Sequence, residues 1–169
     1  MLTCSFVINQ NRNVIATFTS SPSLVVTVVG TGSVSAGSGA ISGCDSTGVN
    51  CSGSYTLNSS VTLTATIPSG YSVAWSGACS GSNSTCSVTM NSSKAVTATF
   101  TINSYSVTIN SATGGSASSS DATVTSGGSA TLTAVASTGY TFASWSCTGG
   151  GTLSSTTTNP TTLSNITAN

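Results

Sequence analysis

A block of fifteen residues occurs twice in this chain, and the second copy begins 82 positions after the first. Residues 4–18 read CSFVINQNRNVIATF, and residues 86–100 read CSVTMNSSKAVTATF. The two copies share, without a gap, the opening Cys and Ser, one Asn, and the closing Val, Ala, Thr and Phe. A third related stretch, TTLSNITAN, begins at Thr161. Repetition at this spacing is typical of stacked structural units, so the sequence constrains the fold to a tandem array.

The repeats divide the chain into three parts. We expect residues 1–18 to be the C-terminal strands of a preceding repeat, residues 24–101 to be a complete repeat, and residues 105–169 to be a repeat that lacks its last strand. Short linkers at 19–23 and 102–104 separate these parts. The chain opens without the basic, apolar and small-residue regions of a signal peptide, and we therefore expect it to be part of a longer chain.

Apolar residues alternate with Ser or Thr in short runs through both larger parts, at the period of a half-buried strand. Gly-Ser, Asn-Ser and Thr-Gly breaks separate the runs and favour turns. No segment of ten or more residues has an apolar stripe at helical spacing, so the sequence predicts an all-β chain. The predicted strands are 24–29, 61–67, 86–90, 96–101, 105–109, 130–135, 140–145 and 161–167.

Charged side chains make up 2% of the chain, namely Arg12, Lys94, Asp45 and Asp121, and there is no His. Acid–base catalysis needs titratable groups within mutual reach, which two carboxylates far apart in sequence do not provide. Phosphate binding needs clustered Lys and Arg. The sequence therefore predicts no enzyme, no cofactor and no nucleic-acid partner. No run of eighteen apolar residues occurs, so we predict no membrane span.

Six cysteines occur in the chain, and four of them form two C-x6-C pairs, Cys44 with Cys51 and Cys79 with Cys86. Each pair spans a loop rich in Gly, Ser and Asn, so a disulfide there could close a hairpin. The lack of His and of acidic clusters favours disulfides over a metal site. Disulfides in turn indicate an oxidising compartment.

Two tryptophans, Trp75 and Trp145, occupy equivalent places in the segments GYSVAWSGAC (70–79) and GYTFASWSC (139–147). Because Tyr71 and Tyr140 recur with them, we interpret all four as core residues, each tryptophan burying on the order of 200 Å². Sugar-stacking platforms are the alternative interpretation, but carboxylates that would bind hydroxyls are almost absent. The loop with Cys44 and Cys51 has no counterpart in the last repeat, so we expect it to lie outside the shared core.

The run VTLTATIPSGYSVAWSGAC, followed by CSVTMNSSKAVTATF, resembles the divergent InlB B-repeat family of bacterial surface proteins. The Gly-Tyr, Trp-Ser-Gly and Val-Thr-Met elements appear in order, and the resemblance covers residues 24–100 and more loosely 105–169. It implies an extracellular, cell-surface location, small β-rich units related to the β-grasp fold, and tandem arrays in adhesins or cell-wall proteins, without catalytic residues. The predicted fold is therefore all-β, with tandem β-grasp-related or sandwich-like domains stapled by disulfides.

By the register of the repeats, Cys4 is equivalent to Cys86, and Cys147 to Cys79. Two interpretations of these two cysteines remain open. Their partners lie elsewhere in a longer protein, or Cys4 of one copy forms an intersubunit disulfide with Cys147 of another during head-to-tail strand exchange.

The function that these observations favour is an extracellular structural repeat protein that forms a stalk, an adhesin shaft or a filament. Its partners would be neighbouring copies or adjacent repeats. The alternative is an adhesion module that binds a glycan or a surface protein through the variable loops at 30–55 and 149–160, because these loops differ most between the repeats.

Overall fold

The computed structural model of this chain describes residue 13 and residues 15–167. Within that part it consists of thirteen β-strands joined by turns, and the all-β prediction is confirmed. The strands are β1 (Ser23–Val29), β2 (Ser33–Ala36), β3 (Ser52–Ser54), β4 (Ser60–Thr66), β5 (Tyr71–Gly77), β6 (Thr85–Thr89), β7 (Lys94–Ile102), β8 (Ser104–Ser106), β9 (Gly115–Ser119), β10 (Thr123–Thr125), β11 (Ala130–Ala136), β12 (Thr152–Leu153) and β13 (Thr161–Ser164).

The first unit, β1 to β7, is a sandwich of two sheets with strand orders β3-β1-β7-β5 and β2-β4-β6. The strands form because apolar residues alternate with Ser and Thr, as in β4, where Val61, Leu63 and Ala65 are buried and the intervening residues are exposed. β-Branched Thr fits such a half-exposed pleated surface well. The inward faces of the two sheets pack on each other and form one core.

β7 occupies the centre of the larger sheet. It pairs in parallel with β1, from Leu24 opposite Lys94 to Val29 opposite Thr99. On its other side it pairs in antiparallel fashion with the whole of β5. Its inward residues Val96, Ala98 and Phe100 are all buried, so β7 joins the two halves of its sheet and fills the middle of the core.

The second unit, β8 to β13, repeats part of this architecture. The sheet β9-β11-β13 reproduces β2-β4-β6 and carries β12 as an additional edge strand, while the pair β10-β8 reproduces β3-β1. A smaller core lies between the two sheets, built from Val124, Ala130, Leu132, Leu163 and Ile166.

Several strand predictions require correction. Residues 140–145, equivalent to the start of β5, form no strand, because β5 pairs only with β7 and the described residues contain no counterpart of β7 in the second unit. The strands predicted at 105–109 and 161–167 are shorter, ending at Ser106 and Ser164. The predicted strands did not include β2, β3, β5, β9, β10 and β12. β3 (SGS) and β9 (GSASS) lack large apolar residues, and β10 and β12 are only two or three residues long.

The junction between the units consists of a single residue, Asn103, between β7 and β8. Its backbone N–H donates to Gly70 O (2.8 Å), and its carbonyl accepts from Ser126 N (2.8 Å). The Ser126 side chain lies against Gly70, leaving no room for a side chain at residue 70. The first unit and the second unit are thus tied together on both sides of a very short connection.

Candidate functional site

The position of β7 is filled in the first unit and open in the second. Between Val107 and Ile109 on one side and Trp145 on the other, the second unit has a cavity of about 250 Å³. Its inner wall is formed by Leu132, Leu163 and Ile166, which belong to the core. Within residues 104–167 no strand lies in this gap, which we call the open strand position.

A second cavity, of about 410 Å³, continues from the open strand position. Its lining includes Gly114, Gly115, Ala117, Phe142 and Trp145. The Phe142 and Trp145 rings lie against each other at 5.3 Å between centroids. The side of the second unit that β7 covers in the first unit is therefore a continuous groove, whose wall combines apolar and aromatic side chains with Ser, Thr and Asn.

In the first unit, the Phe100 ring fills the space that is equivalent to this second cavity. A Cβ atom on Gly32 would lie 2.5 Å from the Phe100 ring, so the ring rests directly on the glycine backbone. In the second unit the Tyr140 ring rests on Gly114. Tyr140 is nevertheless 56% exposed, because no strand covers it from outside in the described chain.

Residues 15–18 lie at the other end of the chain and are largely exposed. Ile15 is 79% and Phe18 92% exposed, which are high values for apolar side chains. This segment belongs to the repeated block, and Phe18 is the counterpart of Phe100, the buried aromatic residue of β7. Residues 1–12 and 14 lie outside the described part, so the assignment of 1–18 to a preceding repeat stays a prediction.

The two tryptophans are held in the same way but buried to different degrees. The Trp75 indole N–H donates to Asn83 O (2.7 Å), and the Trp145 indole N–H donates to Thr158 O (3.1 Å). Trp75 is buried and Tyr71 half-buried against the same core, whereas Trp145 is half-buried. The interpretation of Tyr140 as a core residue was wrong, as its exposure shows.

The described disulfides join Cys44 to Cys51 and Cys79 to Cys86, with Cα atoms 4.8 and 6.2 Å apart. Neither closes a hairpin of two paired strands. Cys44 bridges to β2 in the smaller sheet and Cys51 adjoins β3 in the larger one, while Cys79 follows β5 and Cys86 lies in β6. Each disulfide thus links an edge of one sheet to an edge of the other.

The Cys44 loop was expected to lie outside the core that the repeats share, and in the first unit it adds to the core. Cys44 is fully buried and, with Ile41, belongs to the core of the first unit. The loop gains this place because Cys44 pairs with Val34 and extends the β2 side of the smaller sheet.

Cys147 is an exposed free thiol, and Cys4 lies outside the described residues. The register of β13 explains why Cys147 has no partner comparable to that of Cys79. Leu63 faces Cys86, but the equivalent Leu132 faces Thr161. The intersubunit pairing of Cys4 with Cys147 stays a prediction.

Ionisable groups contribute little to this site. The Thr47 hydroxyl, and after it the Thr47 backbone N–H, hold the pKa of Asp45 below its ordinary value by donating hydrogen bonds to the carboxylate. Burial raises the pKa of Tyr55, whose hydroxyl finds no hydrogen-bond partner within the described residues.

Among the described residues no group of three potential metal ligands occurs. The part of the chain that the structure covers also contains no helix long and apolar enough to cross a membrane.

The sequence predicted that the second repeat lacks its last strand. It did not identify the side chains that border the position of that strand. Val107, Ile109 and Trp145 could have been found by transferring the neighbours of β7 through the repeat register. The paired signals GTGSVSA and TGGSASS, each a glycine-rich turn before a strand, would have located Gly32 and Gly115.

The family model for the divergent InlB B-repeat domain matches residues 24–104 and again residues 105–169. This family is typical of bacterial surface proteins. No curated protein and no solved structure matches the chain.

Proposed function

We propose that this chain, which belongs to the divergent InlB B-repeat family, is an extracellular structural element in which repeats stack end to end as a stalk, an adhesin shaft or a filament. Two observations support the location: the family is typical of bacterial surfaces, and two disulfides are expected to persist only in an oxidising compartment.

The observation that carries this proposal is the direct passage of β7 into β8 through Asn103 alone. Long flexible linkers let domains move independently, whereas a one-residue connection with hydrogen bonds on both sides restricts that motion. Such a junction transmits force and direction from one unit to the next, as a shaft requires.

The strand order of the first unit suits the same task. Tension along the chain enters at Ser23, the start of β1, and leaves at Ile102, the end of β7. These strands are parallel neighbours that pair over six positions. Pulling their opposite ends slides one along the other, so all the hydrogen bonds between them resist together. Antiparallel strands pulled from one end would instead separate pair by pair.

Single-molecule force spectroscopy on the full chain tests this proposal. We would attach handles by unnatural amino acids at Ser21 and Ser104, which loads β1 against β7, and in a second preparation at Ser60 and Asn91, which peels β4 from β6. We expect an unfolding force several-fold higher for the first pair of handles. Equal forces in the two directions would contradict a load-bearing role.

A binding module remains the second candidate, because the first unit has a cavity of about 280 Å³ between β1 and the disulfide loop. Its lining includes Val25 and Asp45, and the neighbouring Val49 is 61% exposed. A glycan array probed with the full chain, with Val49→Ser as the matched variant, distinguishes the candidates. Selective binding that this variant loses would favour the binding module, and no binding would favour the shaft.

A further inference from the structure

We propose that the open strand position of the second unit binds residues 13–18 of a second copy of this chain as an additional β-strand. The inference deepens the proposed structural function, on which it rests, by naming the partner and the contact through which copies join end to end.

The segment fits because it repeats the inward face of β7. In the first unit Val96, Ala98 and Phe100 point into the core and are 0–4% exposed. The equivalent residues of the N-terminal copy, 82 positions earlier, are Val14, Ala16 and Phe18, which are of the same three types. Phe18 is 92% exposed, so the described residues of the same copy do not bury this apolar side chain.

The neighbours of β7 predict the register of the inserted strand. Val26 lies opposite Val96 and Val28 opposite Ala98, in parallel. Because residues 24–28 correspond to 105–109, Val107 would lie beside Val14, and Ile109 beside Ala16. On the antiparallel side Trp75 faces Ala98, so Trp145 would face Ala16.

The larger cavity accommodates the phenylalanine. Gly32 and Gly115 occupy equivalent positions. Gly32 lies four residues before Ala36, which faces Leu63, and Gly115 lies four residues before Ser119, which faces the equivalent Leu132. Since Phe100 rests on Gly32, Phe18 of the second copy would rest near Gly115, in the cavity of about 410 Å³. Tyr140, which lies over Gly114, is exposed enough to move aside.

Residues 13–18 of the same copy do not reach the open strand position. β1 begins beside Lys94, whereas the second unit begins beyond Ile102, eight residues farther along β7. Those eight residues span about 26 Å at a strand rise of 3.3 Å. The five steps from Phe18 to Ser23 span at most about 18 Å. Phe18 therefore does not reach the second unit of its own chain.

The resulting contact would reproduce the junction already present within the chain. Phe100 precedes Tyr105 by five residues, and Phe18 precedes the equivalent Leu24 by six. A copy whose N-terminal segment is inserted would thus place its first unit where a third repeat would stand. Because the donor and acceptor surfaces differ and lie at opposite ends, the assembly does not close and grows as a filament.

The test measures the mass of the full chain in solution by sedimentation velocity over a range of concentrations. It is done in a Cys4→Ser, Cys147→Ser background, so that thiol chemistry contributes nothing. We expect a series of species in steps of 16.4 kDa that grows with concentration. A chain that stays monomeric throughout would overturn the inference.

Two matched substitutions locate the contact. Ala16→Arg places a charge at a position that is fully buried in β7, so we expect the dissociation constant to rise at least about tenfold. Ile15 lies on the opposite face of the strand from Ala16. Ile15→Thr introduces the Thr that β7 has at the equivalent position, and it should leave assembly intact. Equal losses in both variants would mean non-specific apolar association and would overturn the inference.

A third variant supplies the strand within the same chain. The β7 sequence KAVTATFT added directly after Asn169 should occupy the open strand position, keep the chain monomeric and protect Trp145 from chemical modification. Unchanged assembly in this variant would count against the inference. If the unmodified chain is monomeric, the strand exchange is refuted, but the load-bearing role of the first unit is not. Equal unfolding forces in the two pulling directions would refute the shaft but not the strand exchange.

Discussion

The two units of this chain share one sequence pattern, but the described second unit has no counterpart of β7 or of its partner β5, and it carries β12 in addition. In the first unit β7 completes the larger sheet, and Trp75 is 4% exposed. In the second unit, within the described residues, the same place is open, Trp145 is half-buried and the Tyr140 ring lies on the surface. In contrast, β2, β4 and β6 all have counterparts, in β9, β11 and β13. One central strand therefore decides whether half of the sandwich forms.

The comparison also separates local preference from pairing. Residues 140–145 (YTFASW) begin with the alternation of β5 (YSVAWS), although Trp145 comes one residue later after its Tyr than Trp75 does. Only β5 is a strand, because only β5 has a partner that accepts and donates its backbone hydrogen bonds. Strand propensity describes how well side chains fit a pleated surface, and it does not replace a neighbouring strand.

The largest expected difference in stability between the two units comes from truncating an equivalent leucine in each. Leu63→Ala should destabilise β4 by about 3 kcal/mol, because Leu63 is fully buried between two complete sheets. Leu132→Ala should destabilise β11 by only about 2 kcal/mol, at the lower end of the usual range, since Leu132 borders the open cavity. Hydrogen exchange of the slowest amides in β4 and β11 measures the two free energies separately.

The controls are Thr64→Ala and Thr133→Ala, on the exposed faces of the same strands. Both should change the exchange free energies by less than about 0.5 kcal/mol. Equal losses of stability in the two leucine variants would mean that the core of the second unit is as closed as that of the first.

A smaller effect concerns the disulfides, which only the first unit contains among the described cysteines. Breaking the Cys44–Cys51 bond by Cys51→Ser, in a Cys147→Ser background, should lower the stability of the first unit by about 2 kcal/mol through loop entropy. The exchange of β11 should not change. Cys147→Ser alone is the control, because that thiol is exposed and unbonded. A loss in both units would show that they unfold as one cooperative body.

Most of the fold could be predicted where large apolar residues alternate with Ser or Thr. β1, β4, β6, β7 and β11 follow from that alternation, and the tandem arrangement follows from the repeated block. The short strands β3 (SGS) and β9 (GSASS) could not be predicted, because their place is set by the backbone edge beside them. The burial of Cys44 was missed for a related reason: a loop joins a core when it pairs with a strand, which sequence spacing does not reveal.

The site was predictable to a similar extent. The repeat register identifies the strand that the described second unit lacks and the segment that resembles it. It does not reveal that the Phe100 ring rests on Gly32, because that contact depends on how closely two sheets approach. The repeat register does align Thr161 with Cys86, and the strand pairings agree, since Leu63 faces Cys86 and Leu132 faces Thr161.

The smallest expected effect is a pH dependence confined to the disulfide loop of the first unit. Hydrogen bonds from Thr47 lower the pKa of Asp45 below the ordinary carboxyl value of 3.8, so the ionised form is favoured in the folded loop. A lowered pKa contributes stability above the unfolded value, and this contribution is lost as the pH falls through the folded pKa. Acidification from neutral pH to below 3.8 should therefore loosen the loop, seen as faster exchange of the Thr47 amide after correction for intrinsic rates. Asp45→Asn should abolish that pH dependence while leaving β11 unaffected. If the Thr47 amide keeps the same protection throughout, the carboxylate does not hold the loop, and its shape follows from the disulfide alone.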